Sequence, residues 1–246
     1  MELIIILKFS AISENGNREI NEDSVGVFTS STGQCFVLCD GLGGHGMGDV
    51  ASSLVINKFD NCFFGSKDYP SFLKNAFEVA QRDLLVEQIK KHATKKMKTT
   101  CVGLMTDWKN VYIGYIGDSR LYAFKDGKVK FRTADHSIPQ KLFESGEIKE
   151  SEIRFHKDRN VLLRVMGIDW EEPMYELYKV KKLKKYQAFL LCSDGFWELI
   201  DEQQMCEALK NAKSVDQWLK EMKSIVVANG IGKNMDNFSA IAIWNE

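Results

Sequence analysis

The chain has 246 residues, enough for one sizeable hydrophobic core in a single domain. Hydrophobic residues at 44% and charged residues at 27% exclude the disordered, collagen-like and coiled-coil classes. With 33 basic against 34 acidic residues the net charge is −1, which gives nucleic acid or an anionic membrane no global electrostatic attraction, so neither is expected as a partner.

In chain order, the apolar run Leu3 to Leu7 reads as a buried strand. It is far shorter than the roughly 18 residues of a membrane span. No basic region precedes it, so a cytoplasmic location is expected. Asp23 to Thr29 and Gln34 to Cys39 read as strands joined by the turn-prone Ser30-Ser31-Thr32-Gly33. A glycine-rich segment follows, and then two helices, Val50 to Phe64 and Ser71 to Lys91, carry apolar residues at helical spacing. The charged cluster Lys90 to Lys98 reads as the solvated end of the second helix.

Thr99 to Thr106, Val111 to Ile116, Leu121 to Lys125 and Lys128 to Thr133 are short β-rich segments, expected to form an antiparallel meander. Ser137 to Asp169 mixes helical and polar stretches, like an insertion carried on the sheet. Strands at Tyr175 to Val180 and Ala188 to Cys192, helices at Asp201 to Lys210 and Val215 to Asn229, and a strand at Phe238 to Trp244 complete the chain. The expected class is α+β, with helices covering antiparallel sheets. No repeat or low-complexity tract is present. The six cysteines contain no CxxC pair and mostly lie in apolar runs, the pattern of reduced core residues.

Three apolar runs end in aspartate: Phe36 to Cys39 in Asp40-Gly41, Tyr115 to Gly117 in Asp118, and Leu190 to Ser193 in Asp194-Gly195. Asp236 stands just before the last strand. One such residue is an ordinary turn former. If the strand ends converge, several carboxylates share a small volume and cannot all stay ionised without protons or cations. The oxygen-only donor set, with no histidine or cysteine at zinc spacing, suits Mg²⁺ or Mn²⁺. Two such ions can activate water against phosphorus. Upstream, Arg18 precedes the Glu22-Asp23 pair, and its planar guanidinium suits bidentate capture of phosphate. The glycine-rich Gly41 to Gly48 lacks the Lys-Ser/Thr ending of a P-loop and no βαβ unit follows, which argues against a nucleotide site.

Seven motifs in order, Arg18 to Asp23, Asp40 to His45, Thr99-Thr100, Gly117 to Arg120, Asp135 to Ser137, Ser193 to Gly195 and Asp236-Asn237, resemble the metal-dependent protein phosphatase (PPM, protein phosphatase 2C-like) family in its bacterial form. The resemblance runs from Arg18 to the last strand. It implies a central β-sandwich of two antiparallel sheets flanked by helices on both sides, in one domain spanning 1–246.

The resemblance further implies two Mn²⁺ or Mg²⁺ ions, with Asp40 bridging them, Asp194 and Asp236 on one, and Glu22 with the Gly41 carbonyl on the other. Asp118 with Asp194 matches the place where bacterial relatives can bind a third ion. Asp40 and Arg18 are the implied catalytic residues, with Arg18 binding the substrate phosphate and water attacking phosphorus directly. Asp23, His45 and Asn237 would support this shell. Leu42 stands where eukaryotic relatives often carry a histidine, so the leaving-group proton must come from elsewhere. His136 reads as structural, and His92 and His156 as surface residues. The stretch 146–167 resembles a bacterial flap beside the active site.

The implied activity is hydrolysis of phosphoserine and phosphothreonine on proteins by a monomer that opposes a Ser/Thr kinase. A non-catalytic binding module and an enzyme acting on small phosphoesters are the rival readings.

Overall fold

Strands with no polar alternation are buried on both faces. Six runs of this chain are of that kind. The reason is visible in the computed structural model, which describes residues 7–42, 46–65, 69–94, 96–180 and 182–245. The described strands are β1 (Lys8–Glu14), β2 (Asp23–Thr29), β3 (Gln34–Asp40), β4 (Cys101–Thr106), β5 (Val111–Ile116), β6 (Arg120–Lys125), β7 (Lys128–Arg132), β8 (Glu176–Val180), β9 (Ala188–Cys192) and β10 (Phe238–Trp244). The helices are α1 (Gly48–Gly65), α2 (Tyr69–Lys90), α3 (Ile138–Glu144), α4 (Glu150–Ile153), α5 (Asp194–Trp197), α6 (Glu202–Asn211) and α7 (Val215–Gly230).

The strands form two five-stranded antiparallel sheets, ordered β1-β10-β9-β6-β7 and β2-β3-β4-β5-β8. They pack face to face. On β3, Phe36 and Leu38 join Val102, Leu104 and Ile113 against Leu121, Phe189, Leu191, Ile241 and Ile243 of the other sheet. The alternate residues Cys35, Val37 and Cys39 face outward onto Val55, Phe59 and Phe77 of α1 and α2. Likewise Leu190 and Cys192 of β9 meet Trp218, Leu219 and Met222 of α7. The expected sandwich flanked by helices is therefore observed, and the two-sided burial explains the unbroken apolar runs. All six cysteines are free, and Cys35, Cys39, Cys101 and Cys192 are buried.

Two expectations need correction, and a third falls largely outside the described residues. Residues 3–6 of the opening apolar run are among those not described, and the first described strand is β1, which among the described residues pairs with β10. Its partly exposed Lys8, Phe9 and Ser10 carry no clean alternation, so the sequence pattern hides it.

The segment from β4 to β7 is not one meander. β4 and β5 pair in one sheet, whereas β6 pairs with β7 and β9 in the other. The chain changes sheets at Gly117-Asp118-Ser119. Gly117 adopts a φ of +99°, and a Cβ there would lie 2.6 Å from the Thr100 side chain, so only glycine turns this corner.

Finally, α2 ends at Lys90 and the cluster beyond it is not simply solvated: Met97 is fully buried and Lys98 lines the cleft described below. The 146–167 stretch is pinned at several points, by Arg154 on the Ile200 carbonyl at 2.9 Å and by Arg159 on Glu198 at 2.7 Å.

Candidate active site

The registers explain why the aspartates meet. Asp23 at the start of β2 pairs directly with Asp40 at the end of β3. In the other sheet Cys192 lies opposite both Arg120 and Ala240. Asp118, two residues before Arg120, and Asp194, two residues after Cys192, therefore leave the sandwich at the same end. Asp236 enters from the same end ahead of β10. All but Asp23 line one cleft of about 870 Å³, together with Arg18, Glu22 and Gly41.

Backbone bonds fix the acids. The Asp40 N–H donates to Thr100 Oγ1 at 3.0 Å, while its carbonyl accepts from the Thr100 N–H and from Thr99 Oγ1, both at 2.8 Å. The two threonines thus clamp the backbone of Asp40 on both sides of its Cα. Gly41 pairs with Thr99 in an isolated bridge, and a Cβ there would collide with the backbone of Gly48. Asn237 ties the loop that carries Arg18 and Glu22: its Oδ1 accepts from the Glu22 N–H at 2.9 Å, and its Nδ2 donates to the carbonyls of Asn15 and Ile20. Behind the floor, Trp197 of α5 donates its indole N–H to the Asp118 carbonyl at 3.0 Å.

The electrostatics follow from the crowding. Burial first, and then the charges of Asp23, Asp194 and Asp118, push the Asp40 carboxyl well above the usual range. Asp118 is pushed the same way by burial, then Asp194 and Asp135. Asp194 rises through burial and Asp236, and Glu22 through burial, Asp49 and Asp236. Asp23 is raised to about 7, chiefly by burial, although Ser193 donates to its Oδ2 at 2.9 Å. Its other oxygen, Oδ1, is buried without a hydrogen-bond partner. Like charges gathered in this way call for bound cations or protons.

Of the remaining residues singled out in the sequence, Arg18 donates to Asp236 at 2.9 Å, with both side chains 48% exposed. His136 is buried, its Nδ1 accepting from the Gly117 N–H at 3.1 Å and its Nε2 lying 3.3 Å from Glu176, which agrees with a structural role. His92 is exposed, whereas His156 is half-buried and its Nδ1 accepts from the Asp158 N–H. His45 lies outside the described residues. Sequence reasoning missed Lys98, Asp49 and Ile20 as lining of the cleft, whereas Val161 and Leu163, also on its wall, fall within the flap-like stretch 146–167. Asp49 could have been suspected from its place one residue into α1; Ile20 carries no local signal.

Two packed antiparallel sheets between helix layers thus open at one end into a carboxylate-floored cleft. Residues 13–238 match the profile of the protein phosphatase 2C family, and the chain belongs to that family. It is 28% identical over 233 residues to the serine/threonine phosphatase stp of Listeria monocytogenes, covering 92% of this chain and 90% of that protein. The crystal structure of the serine/threonine phosphatase Stp1 from Staphylococcus aureus superposes with a TM-score of 0.90 at 29% identity, over 100% of this chain and 98% of that one. The fold is also shared with the catalytic domain of the serine threonine protein phosphatase PstP in complex with two manganese ions, at a TM-score of 0.79, 24% identity and 97% coverage of both chains.

Proposed function

We propose that this protein is a metal-dependent serine/threonine protein phosphatase that hydrolyses phosphoserine and phosphothreonine by direct attack of water. The observation that carries the reading is the convergence of Asp40, Asp118 and Asp194, from strand ends of both sheets, on one cleft that also holds Glu22, Asp236 and Arg18. The similarity to bacterial serine/threonine phosphatases supports the substrate class.

The residues fit a pair of hard divalent cations by chemistry. The donors are all oxygen, their mutual repulsion needs countercharge, and the buried Oδ1 of Asp23 lacks a partner beside them. Among the described residues no three acids already form a ligand cage, and Asp236 is engaged by Arg18. Asp40, Asp194 and Asp236 would hold one Mn²⁺ or Mg²⁺, and Asp40, Glu22 and the Gly41 carbonyl the other, with Asp118 and Asp194 available to a third. When bound, the ions supply countercharge, Lewis-acid polarisation and activation of water.

The chain's own groups do the rest. Thr99 and Thr100 hold the Asp40 backbone, and Asn237 holds Glu22. Arg18, half-exposed at the rim, can exchange its Asp236 contact for a phosphate oxygen and stabilise charge developing on the phosphoryl group. No side-chain nucleophile is required. The test is Mn²⁺-dependent hydrolysis of a generic aryl phosphate by the wild type and Asp40→Asn. Activity in the wild type alone supports the reading; inactivity of the wild type with every divalent ion tried sinks it and favours a binding module.

A further inference from the structure

The lining of the cleft is of two kinds. Beside the acids stand Ile20, Val161 and Leu163, whose exposures of 60%, 43% and 43% are high for large apolar side chains. Single exposed apolar residues are ordinary. Three of them lining the wall of one cleft exceed that scatter and offer apolar surface where a ligand would lie.

The patch is also rigidly placed. Leu162 pairs with Ser137 in an antiparallel bridge, the Leu163 N–H donates to the His136 carbonyl at 2.7 Å, and the Ile138 N–H donates to the Val161 carbonyl at 3.1 Å. Three residues on, Met166 exchanges two hydrogen bonds with Thr99, at 2.9 and 3.3 Å. Thr99 in turn donates to the Asp40 carbonyl at 2.8 Å. One residue therefore ties the apolar strip to the acidic floor and fixes the spacing between them. A preorganised surface of this kind loses little entropy when it is occupied.

The lining itself indicates the occupant. Glu22 and Asp236 are candidate ion ligands, and Glu19 and Asp49 are offset by Arg18 and Lys98, so charge selects no neighbour of a bound phosphate, whereas an apolar neighbour meets a matching surface. Resting on the phosphatase reading above, we propose that Ile20, Val161 and Leu163 form a subsite for an apolar side chain next to the phosphorylated residue of a peptide substrate. The preferred substrates are thus phosphopeptides with an apolar residue flanking the phosphosite.

The test uses three peptides carrying a non-hydrolysable phosphonate mimic of phosphothreonine, flanked by Leu, Ser or Asp, titrated into the full chain in Mn²⁺ buffer. The Leu peptide is expected to bind about tenfold tighter than the Ser peptide, the range for burying one apolar group in a pocket, and the Asp peptide no tighter than the Ser peptide, since neither places an apolar group there. The double variant Val161→Ser, Leu163→Ser should bring the Leu-to-Ser ratio towards one, and Leu163→Met should retain the preference, which separates the subsite from a general loss of folding. Equal affinities for the Leu and Ser peptides in the wild type, or a preference that survives in the double variant, overturn the proposal. Aryl phosphate hydrolysis, followed in parallel, reports on the chemistry alone. A Leu preference without turnover sinks only the enzyme reading, and turnover without a preference sinks only the subsite.

Discussion

Arg120 and Asp135 form a two-pronged ion pair in the interior, with Nε to Oδ1 at 2.8 Å and Nη2 to Oδ2 at 2.7 Å, both side chains being almost wholly buried. The guanidinium lies 3.4 Å above the centroid of the Trp197 ring. Its Nη1 donates to the Tyr122 hydroxyl at 3.0 Å, and that hydroxyl donates to Glu202. Because Trp197 also holds the Asp118 carbonyl, the pair sits directly behind the acidic floor.

Removing one partner strands the other as a buried charge, which costs about 3–5 kcal/mol. Asp135→Ala should lower stability by that amount in denaturant titration. Arg120→Met combined with Asp135→Leu should cost markedly less than Asp135→Ala alone. A single-variant loss under about 1 kcal/mol, the scale of surface ion pairs, would show that the pair is not the buried support described.

The crowded acids predict a trade-off between stability and ion binding. In metal-free protein, Asp40→Asn replaces a carboxyl whose ionisation is opposed by burial and by Asp23, Asp194 and Asp118 with a group that cannot ionise, and should raise Tm relative to the wild type increasingly as pH rises. Mn²⁺ should raise the wild-type Tm by preferential binding to the folded state and leave that of Asp40→Asn nearly unmoved. Thermal scans with and without chelator measure both effects. A lower metal-free Tm in the variant would show that repulsion is not the dominant force at this position.

Arg18 and Asp236 are half-exposed, so their pair contributes little to stability, within about 0–1 kcal/mol. Arg18→Ala is therefore expected to leave Tm almost unchanged while raising KM for phosphosubstrates more than it lowers kcat. A KM equal to that of the wild type would remove Arg18 from phosphate binding.

Glu198 gives a pH signature outside the candidate ligand set. Burial, and then the charge of Asp194, raise its carboxyl from 4.5 to about 7, although Arg159 binds it at 2.7 Å. An acid whose pKa is raised by folding is held more favourably in its protonated form. Its stabilising contribution is complete below the unfolded value and is lost as pH rises towards about 7. Glu198→Gln, which cannot ionise, should therefore show a smaller fall in Tm between pH 5 and pH 8 than the wild type. The other acids are common to both proteins, so the difference isolates this residue. Equal falls in the two would refute the assignment.

Much of the molecule was legible along the chain because strands buried on both faces write themselves as unbroken apolar runs. Aspartates at the ends of such runs are conspicuous, so Asp40, Asp118 and Asp194 could be picked out before any contact was known. β1 was hidden because exposed Lys8 and Phe9 open it without the alternation of a half-buried strand. The sheet change at Gly117 left no mark in hydrophobic periodicity, since β5 and β6 are equally buried on either side of it.

What the sequence by itself determined is therefore the class of fold, the family and the identity of the acidic residues, all of which depend on local pattern and motif order. Only the tertiary structure decided how those acids are arranged. The pairing of Asp23 with Asp40 and of Cys192 with Arg120 brings residues as far apart as Glu22 and Asp236 to one end of the sandwich. It likewise set Lys98 and the Ile20, Val161 and Leu163 wall beside them. Register and burial are properties of the packed whole, and each of these side chains draws its charge state or its exposure from neighbours that are distant in the chain.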